Sequence, residues 1–116
     1  MDCSAEERKG AVIAAPTGRI DEATCQDFAA CLIDGVAKAT NAQAKKLIID
    51  FSGVRYMSSR GLRALTSGKR EADLAGVTIV LAAANEIIRE ILAISRYDRL
   101  FVVAKTVEAA LQAPAG

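Results

Sequence analysis

Apolar residues fall along this chain as short continuous runs that alternate with stripes at helical spacing. Residues 10–16, GAVIAAP, form the first run, stopped by Pro16 with Thr17-Gly18 as a turn, which predicts a strand. Residues 3–8 are a weaker candidate for an edge strand beside it. Asp21 then reads as a helix N-cap. Behind it Cys25, Phe28, Ala29, Leu32 and Val36 recur at helical spacing and predict a helix to about Lys38. Leu47-Ile48-Ile49 is a nearly unbroken apolar run, as expected of a central strand covered on both faces. A second helix follows Ser58-Ser59, with Leu62, Leu65, Thr66 and Ala72 on one face and Gly76 as its C-terminal cap. Residues 77–82, VTIVLA, make the strongest strand pattern. Asn85 caps a third helix whose expected buried face is Ile87, Ile88, Ile91 and Leu92. Leu100-Phe101-Val102-Val103 reads as the last strand, and Thr106 caps a final helix, VEAALQ. Strands alternating with helices predict an α/β layer fold with a largely parallel sheet and right-handed crossovers. Leu47, Ile48, Ile49, Ile79, Leu81, Ile88, Leu92 and Val102 are the expected core.

Composition narrows the function. In 116 residues, 52% are hydrophobic, which excludes a disordered chain, and aromatics are so few that the core must be aliphatic. Acids and bases are interspersed and nearly cancel, at a net charge of +1. Non-specific nucleic-acid binding needs a basic surplus, so no nucleic-acid partner is expected. No apolar run approaches the length of a membrane span, and MDCSAEERKG has no signal-peptide core, so a cytoplasmic location is expected. Histidine is absent, which removes Ser-His-Asp and Cys-His pairs and histidine metal ligands. Cys3, Cys25 and Cys31 are odd in number with no paired spacing, so free thiols are expected. The glycines form no dinucleotide or Walker loop, and Gly68-Lys69 sits inside a helical pattern without the upstream glycine. No enzyme activity, cofactor or metal is expected.

The informative stretch is the loop 52–61, SGVRYMSSRG, which leaves the central strand and ends at a helix N-terminus. Sites in open α/β sheets form at the carboxyl ends of strands. Locally, Ser58 or Ser59 reads equally well as a plain N-cap. Residues 47–65, LIIDFSGVRYMSSRGLRAL, however, resemble the signature of STAS-domain anti-sigma factor antagonists. In that signature an apolar strand leads to Asp-Leu-Ser-Gly-Val, an apolar residue, Asp-Ser-Ser-Gly-Leu and a helix. Asp50, Ser52, Gly53 and Val54 match the first half; Met57, Ser59, Gly61 and Leu62 match the second. Gly18-Arg19-Ile20-Asp21 resembles the family's Gly-x-Leu-Asp turn. Asp98 to Phe101 resembles the entry to the last strand, and Thr106 to Leu111 the closing helix. The resemblance covers about residues 10–112 of one domain, 1–116.

The resemblance implies a mixed sheet of four or five strands with helices mainly on one side. It also implies a regulatory protein that carries no cofactor. Ser59 aligns with the serine that is phosphorylated. Ser58 stands at the family's aspartate, Arg60 at its second serine, and Arg96-Tyr97 where Gly-Leu is common. The implied partners are an anti-sigma factor that is a serine kinase of the histidine-kinase-like ATPase fold, and a metal-dependent serine phosphatase. The implied partner surface comprises Gly18, Arg19, Asp21, Glu22, Arg55, Met57, Ser58, Arg60, Gly61 and Arg63. Gly53 and Gly61 are expected to permit tight turns. Arg55, Arg60 and Arg63 would steer an acidic partner, pair with a phosphate, or simply form a solvated face. The alternative function is a STAS subunit of a transporter-associated or signalling scaffold complex, without a phosphorylation cycle.

Overall fold

The computed structural model describes residues 1–113. Two strands, β1 (Ala5–Arg8) and β2 (Ala11–Ala14), form an antiparallel pair, and a short strand β3 (Gly18–Ile20) follows. Helix α1 (Cys25–Thr40) leads to β4 (Lys46–Asp50), β5 (Val54–Met57) and α2 (Ser59–Ala75). Then come β6 (Thr78–Ala82), α3 (Glu86–Ile94), a 3-10 turn over Tyr97–Arg99, β7 (Val102–Ala104) and α4 (Val107–Gln112). The main sheet runs β1-β2-β4-β6-β7, antiparallel only at β1, and β3 pairs with β5 in a separate parallel ribbon. The five-stranded mixed sheet agrees with expectation.

Strand β4 lies at the centre because both of its faces are apolar. Leu47 and Ile49 face a core completed by Phe28, Leu32, Leu65, Ile88 and Leu92 from α1, α2 and α3. Ile48 faces the other way, into a smaller cluster with Ala11, Val80, Ala82 and Ala110 of α4. Three helices therefore cover one side and α4 covers the other.

Seven of the eight expected core residues are buried; Val102 is the exception at 40% exposed. It lies on edge strand β7, which starts at Val102 rather than Leu100 because the 3-10 turn takes up the preceding residues, and Leu100 is also exposed. Ile87 is exposed as well: α3 meets the core through Ile88 and Leu92, with Ile91 half-buried beside them. Asp21 does not cap α1, which starts four residues later with Thr24 at the N-cap position. The expectation of free thiols is also corrected. Cys3 and Cys31 form a disulfide that ties the segment before β1 to the buried face of α1, and only Cys25 is free. Arg96 takes a φ of 64°, the left-handed region that favours glycine.

Lys46 is a buried cation at the start of the central strand. Its Nζ donates to the carbonyl oxygens of Ala110 (2.9 Å), Leu111 (3.2 Å) and Ala113, at the C-terminal end of α4. These carbonyls lie at the negative end of the helix dipole; that of Ala110 also accepts from Ala113 N at 3.3 Å.

Candidate functional site

Strand β4 delivers the chain to the site, and Asp50 turns it: Asp50 Oδ1 accepts from the Ser52 amide at 2.9 Å. Val54 N donates to Phe51 O at 2.9 Å, closing a tight turn around Gly53. The chain then enters β5 rather than continuing as a loop. Beside it runs β3, joined by Gly18 N to Gly53 O at 2.8 Å and by Ser58 N to Ile20 O at 2.8 Å. This ribbon brings together the two sequence segments expected to bind a partner, residues 18–22 and 55–63.

Gly53 and Gly61 are required by space, not by φ. A Cβ on Gly61 would lie 2.5 Å from Met57 Cγ and 2.8 Å from Ile20 Cγ2; one on Gly53 would lie 3.0 Å from Thr17 Cγ2. Gly61 thus lets α2 start directly on top of the ribbon. Met57 and Gly61 are both buried there, so they support the surface from beneath instead of forming it.

Of the two serines, Ser58 occupies the N-cap position of α2 by its backbone angles, yet its side chain makes no capping hydrogen bond. Its Oγ is buried and without a partner among the described residues. Ser59 is the first residue of the helix, and it is exposed. A group attached to its hydroxyl meets solvent and the positive end of the helix dipole.

The flanking charges stay at the surface. Arg19 Nε lies 3.8 Å from Asp21 Oδ2, and its guanidinium carbon sits 4.5 Å above the Tyr56 ring centroid. Arg60 Nε lies 3.8 Å from Glu22 Oε1. Arg55 and Arg63 are exposed and form no ion pair among the described residues. Asp21 shapes the turn that precedes α1. Its Oδ1 accepts from Ala23 N at 3.0 Å, while Thr24 Oγ1 accepts from Asp21 N at 3.0 Å and donates to Arg19 O at 2.7 Å. This knot holds the turn that presents Arg19 and Glu22.

Sequence reasoning missed three supports. Asn85 Nδ2 donates to Val54 O at 3.1 Å, fastening α3 to β5. The Tyr97 hydroxyl meets Thr66 Oγ1 at 2.7 Å, fastening α2 to the turn after α3. Tyr56 forms the shelf under Arg19. β5 gave no period-two signal, since Val54 and Met57 are buried with two exposed residues, Arg55 and Tyr56, between them. Among the described residues, no group of three His, Cys, Asp or Glu side chains could hold a metal, and no helix is long and apolar enough to cross a membrane.

Known proteins share this fold. The model of the STAS domain family matches residues 2–110. An anti-sigma-factor antagonist (STAS) domain protein from Planctomyces limnophilus superposes with a TM-score of 0.80 at 19% identity, covering 95% of this chain and 94% of that one. An anti-sigma factor antagonist from Mycobacterium paratuberculosis does so with a TM-score of 0.79 at 22% identity, covering 96% and 91%. The phosphorylated form of the Bacillus cell fate determinant SpoIIAA gives 0.65 at 16% identity, covering 93% and 96%. At these identities the likeness is one of fold.

Proposed function

The chain belongs to the STAS domain family, and on that premise we propose that it is an anti-sigma factor antagonist switched by phosphorylation at Ser59. Unmodified, it binds an anti-sigma factor that is also a serine kinase, of the histidine-kinase-like ATPase fold, and so frees that factor's client. The kinase transfers the γ-phosphoryl group of ATP to Ser59 Oγ; the hydroxyl proton leaves and ADP is released. A metal-dependent phosphatase hydrolyses the ester with water, returning serine and inorganic phosphate.

The observation that carries this reading is the exposed Ser59 at the first position of α2, two residues beyond the ribbon that joins both expected contact segments. A phosphate there adds a charge of about −1.5 to −2 at a helix end that favours anions, so the fold tolerates it. Release of the partner comes from the interface, where a dianion must shed water. A cost of a few kcal/mol corresponds to a loss of affinity of about a hundredfold or more.

Tandem mass spectrometry after reaction with the cognate kinase tests the assignment. Phosphate is expected on Ser59, and still on Ser59 in Ser58→Ala. Ser59→Ala is expected to fold, resist modification and bind constitutively. Phosphate on Ser58 or elsewhere overturns the assignment, and no mass shift at all favours the scaffold-subunit reading.

A further inference from the structure

Near the start of α2 a shallow, open groove of about 270 Å³ lies between α1 and α2, lined by the small side chains of Ala29, Ala64 and Ser67 and by Arg60 and Arg63. The protein's net charge is only +1, but both charged residues that line the groove are cations, Arg60 and Arg63. Asp21 is engaged in its own turn, and Glu22 reaches Arg60 only at 3.8 Å. Arg63 has no ion pair among the described residues. The first turn of α2 holds no acidic residue, although carboxylates stabilise a helix there and Arg60 opposes the dipole. These cations therefore do nothing for the helix. Two guanidiniums over a small groove suit one or two carboxylates, each able to accept paired N–H bonds. Nucleic acid would need a longer basic stripe than this.

Ser59 and Arg63 stand four apart on α2 and are both exposed, which puts their Cβ atoms about 5–6 Å apart on one helix surface. A phosphate on Ser59 lies within reach of the Arg63 guanidinium. We propose that the Arg60–Arg63 groove receives an acidic segment of the partner protein, and that phosphorylated Ser59 expels it by taking Arg63 for itself. The phosphate then acts as an intramolecular competitor rather than only as a repelling charge. The masking half rests on the Ser59 reading above; the acidic docking half does not.

The probe is an acetylated hexaglutamate peptide, titrated into 15N-labelled protein while the arginine Nε–H resonances are followed. Five proteins are compared: unmodified, phosphoserine at 59 installed during translation, Arg63→Gln, the phosphoserine protein carrying Arg63→Gln as well, and Arg89→Gln as a charge-matched control on α3. The peptide is expected to move Arg60 and Arg63 first, to bind at least about fivefold more weakly to Arg63→Gln, and to bind Arg89→Gln as it binds the unmodified chain. Phosphoserine at 59 is expected to weaken the peptide by about tenfold or more. Its 31P resonance is expected to titrate at lower pH than in the same protein carrying Arg63→Gln. Equal losses in Arg63→Gln and Arg89→Gln, first shifts elsewhere, or equal binding of duplex DNA overturn the acidic groove. Undiminished peptide binding by the phosphoprotein, or a 31P titration indifferent to Arg63→Gln, overturns the masking. Because the phosphoserine is installed without a kinase, these failures are distinct from a failure to find Ser59 phosphorylated.

Discussion

The N-termini of α2 and α3 present the same four orphan amides, and the molecule treats them differently. At α3, Asn85 Oδ1 accepts from Ile88 N at 2.8 Å while its Nδ2 donates to Val54 O at 3.1 Å, so one side chain caps the helix and fastens it to β5. At α4, Thr106 Oγ1 accepts from Ala109 N at 3.0 Å, and Lys46 closes the other end. At α2 the residue in the N-cap position has the right chemistry and does not use it, and an arginine follows in the first turn. Side chains seal the starts of α3 and α4, whereas α1, with Thr24 at its N-cap position, lacks a capping hydrogen bond as α2 does. The helix that begins at the candidate site is left open, with its local stability unclaimed and its positive end free for an anion.

Four substitutions, followed by urea denaturation, can break or sharpen that contrast. Lys46→Met should cost most, about 2–4 kcal/mol, because it strips a charged donor from three carbonyls at the end of α4. A neutral result would mean that the sealed end is held by apolar contact alone. Asn85→Ala should cost about 2 kcal/mol, combining a lost cap with a lost hydrogen bond to β5. Thr106→Ala removes only a cap on a six-residue helix and should cost about 0.5–1 kcal/mol. Ser58→Ala should stay within about 0.5 kcal/mol of zero, on either side, because the hydroxyl it removes is already unpaired. A cost at Ser58 equal to that at Thr106 would erase the distinction between the open and sealed helix starts.

Much of the fold could be read in advance, and the reasons for the misses are local. Leu47 to Ile49 and the VTIVLA run declared central strands because burial on both faces demands continuous apolar residues. Val102 copied that appearance on an edge, where half of each residue meets water. Ile87 belonged to a run of apolar residues on α3 too wide for the contact it makes, so periodicity alone did not reveal which two would be buried. β3 and β5 were hidden because each is three or four residues long and pairs only with the other. The Cys3–Cys31 bridge spans 28 residues in a chain with an odd thiol count, which no spacing rule detects. The burial of Lys46 was not legible, because its partners are backbone carbonyls more than 60 positions away. At the candidate site the motif picked out Ser59 and the segments 18–22 and 55–63, which the structure brings side by side. It did not show that Met57 and Gly61 lie beneath the surface, because a motif records spacing and not depth.

The grip of Lys46 on α4 also bears on the order in which the protein can be made. Every strand that α4 covers precedes it along the chain, so a ribosome releases β2, β4 and β6 before the helix that shields their second face. Until α4 docks, Ala11, Ile48, Val80 and Ala82 lack their cover, and the ammonium of Lys46 stands at the rim of that bare face without its carbonyls. A charge there discourages the exposed sheet from stacking on a neighbouring nascent chain. The same lysine that fastens the last helix thus puts a charge at the edge of that face for the interval before the helix arrives.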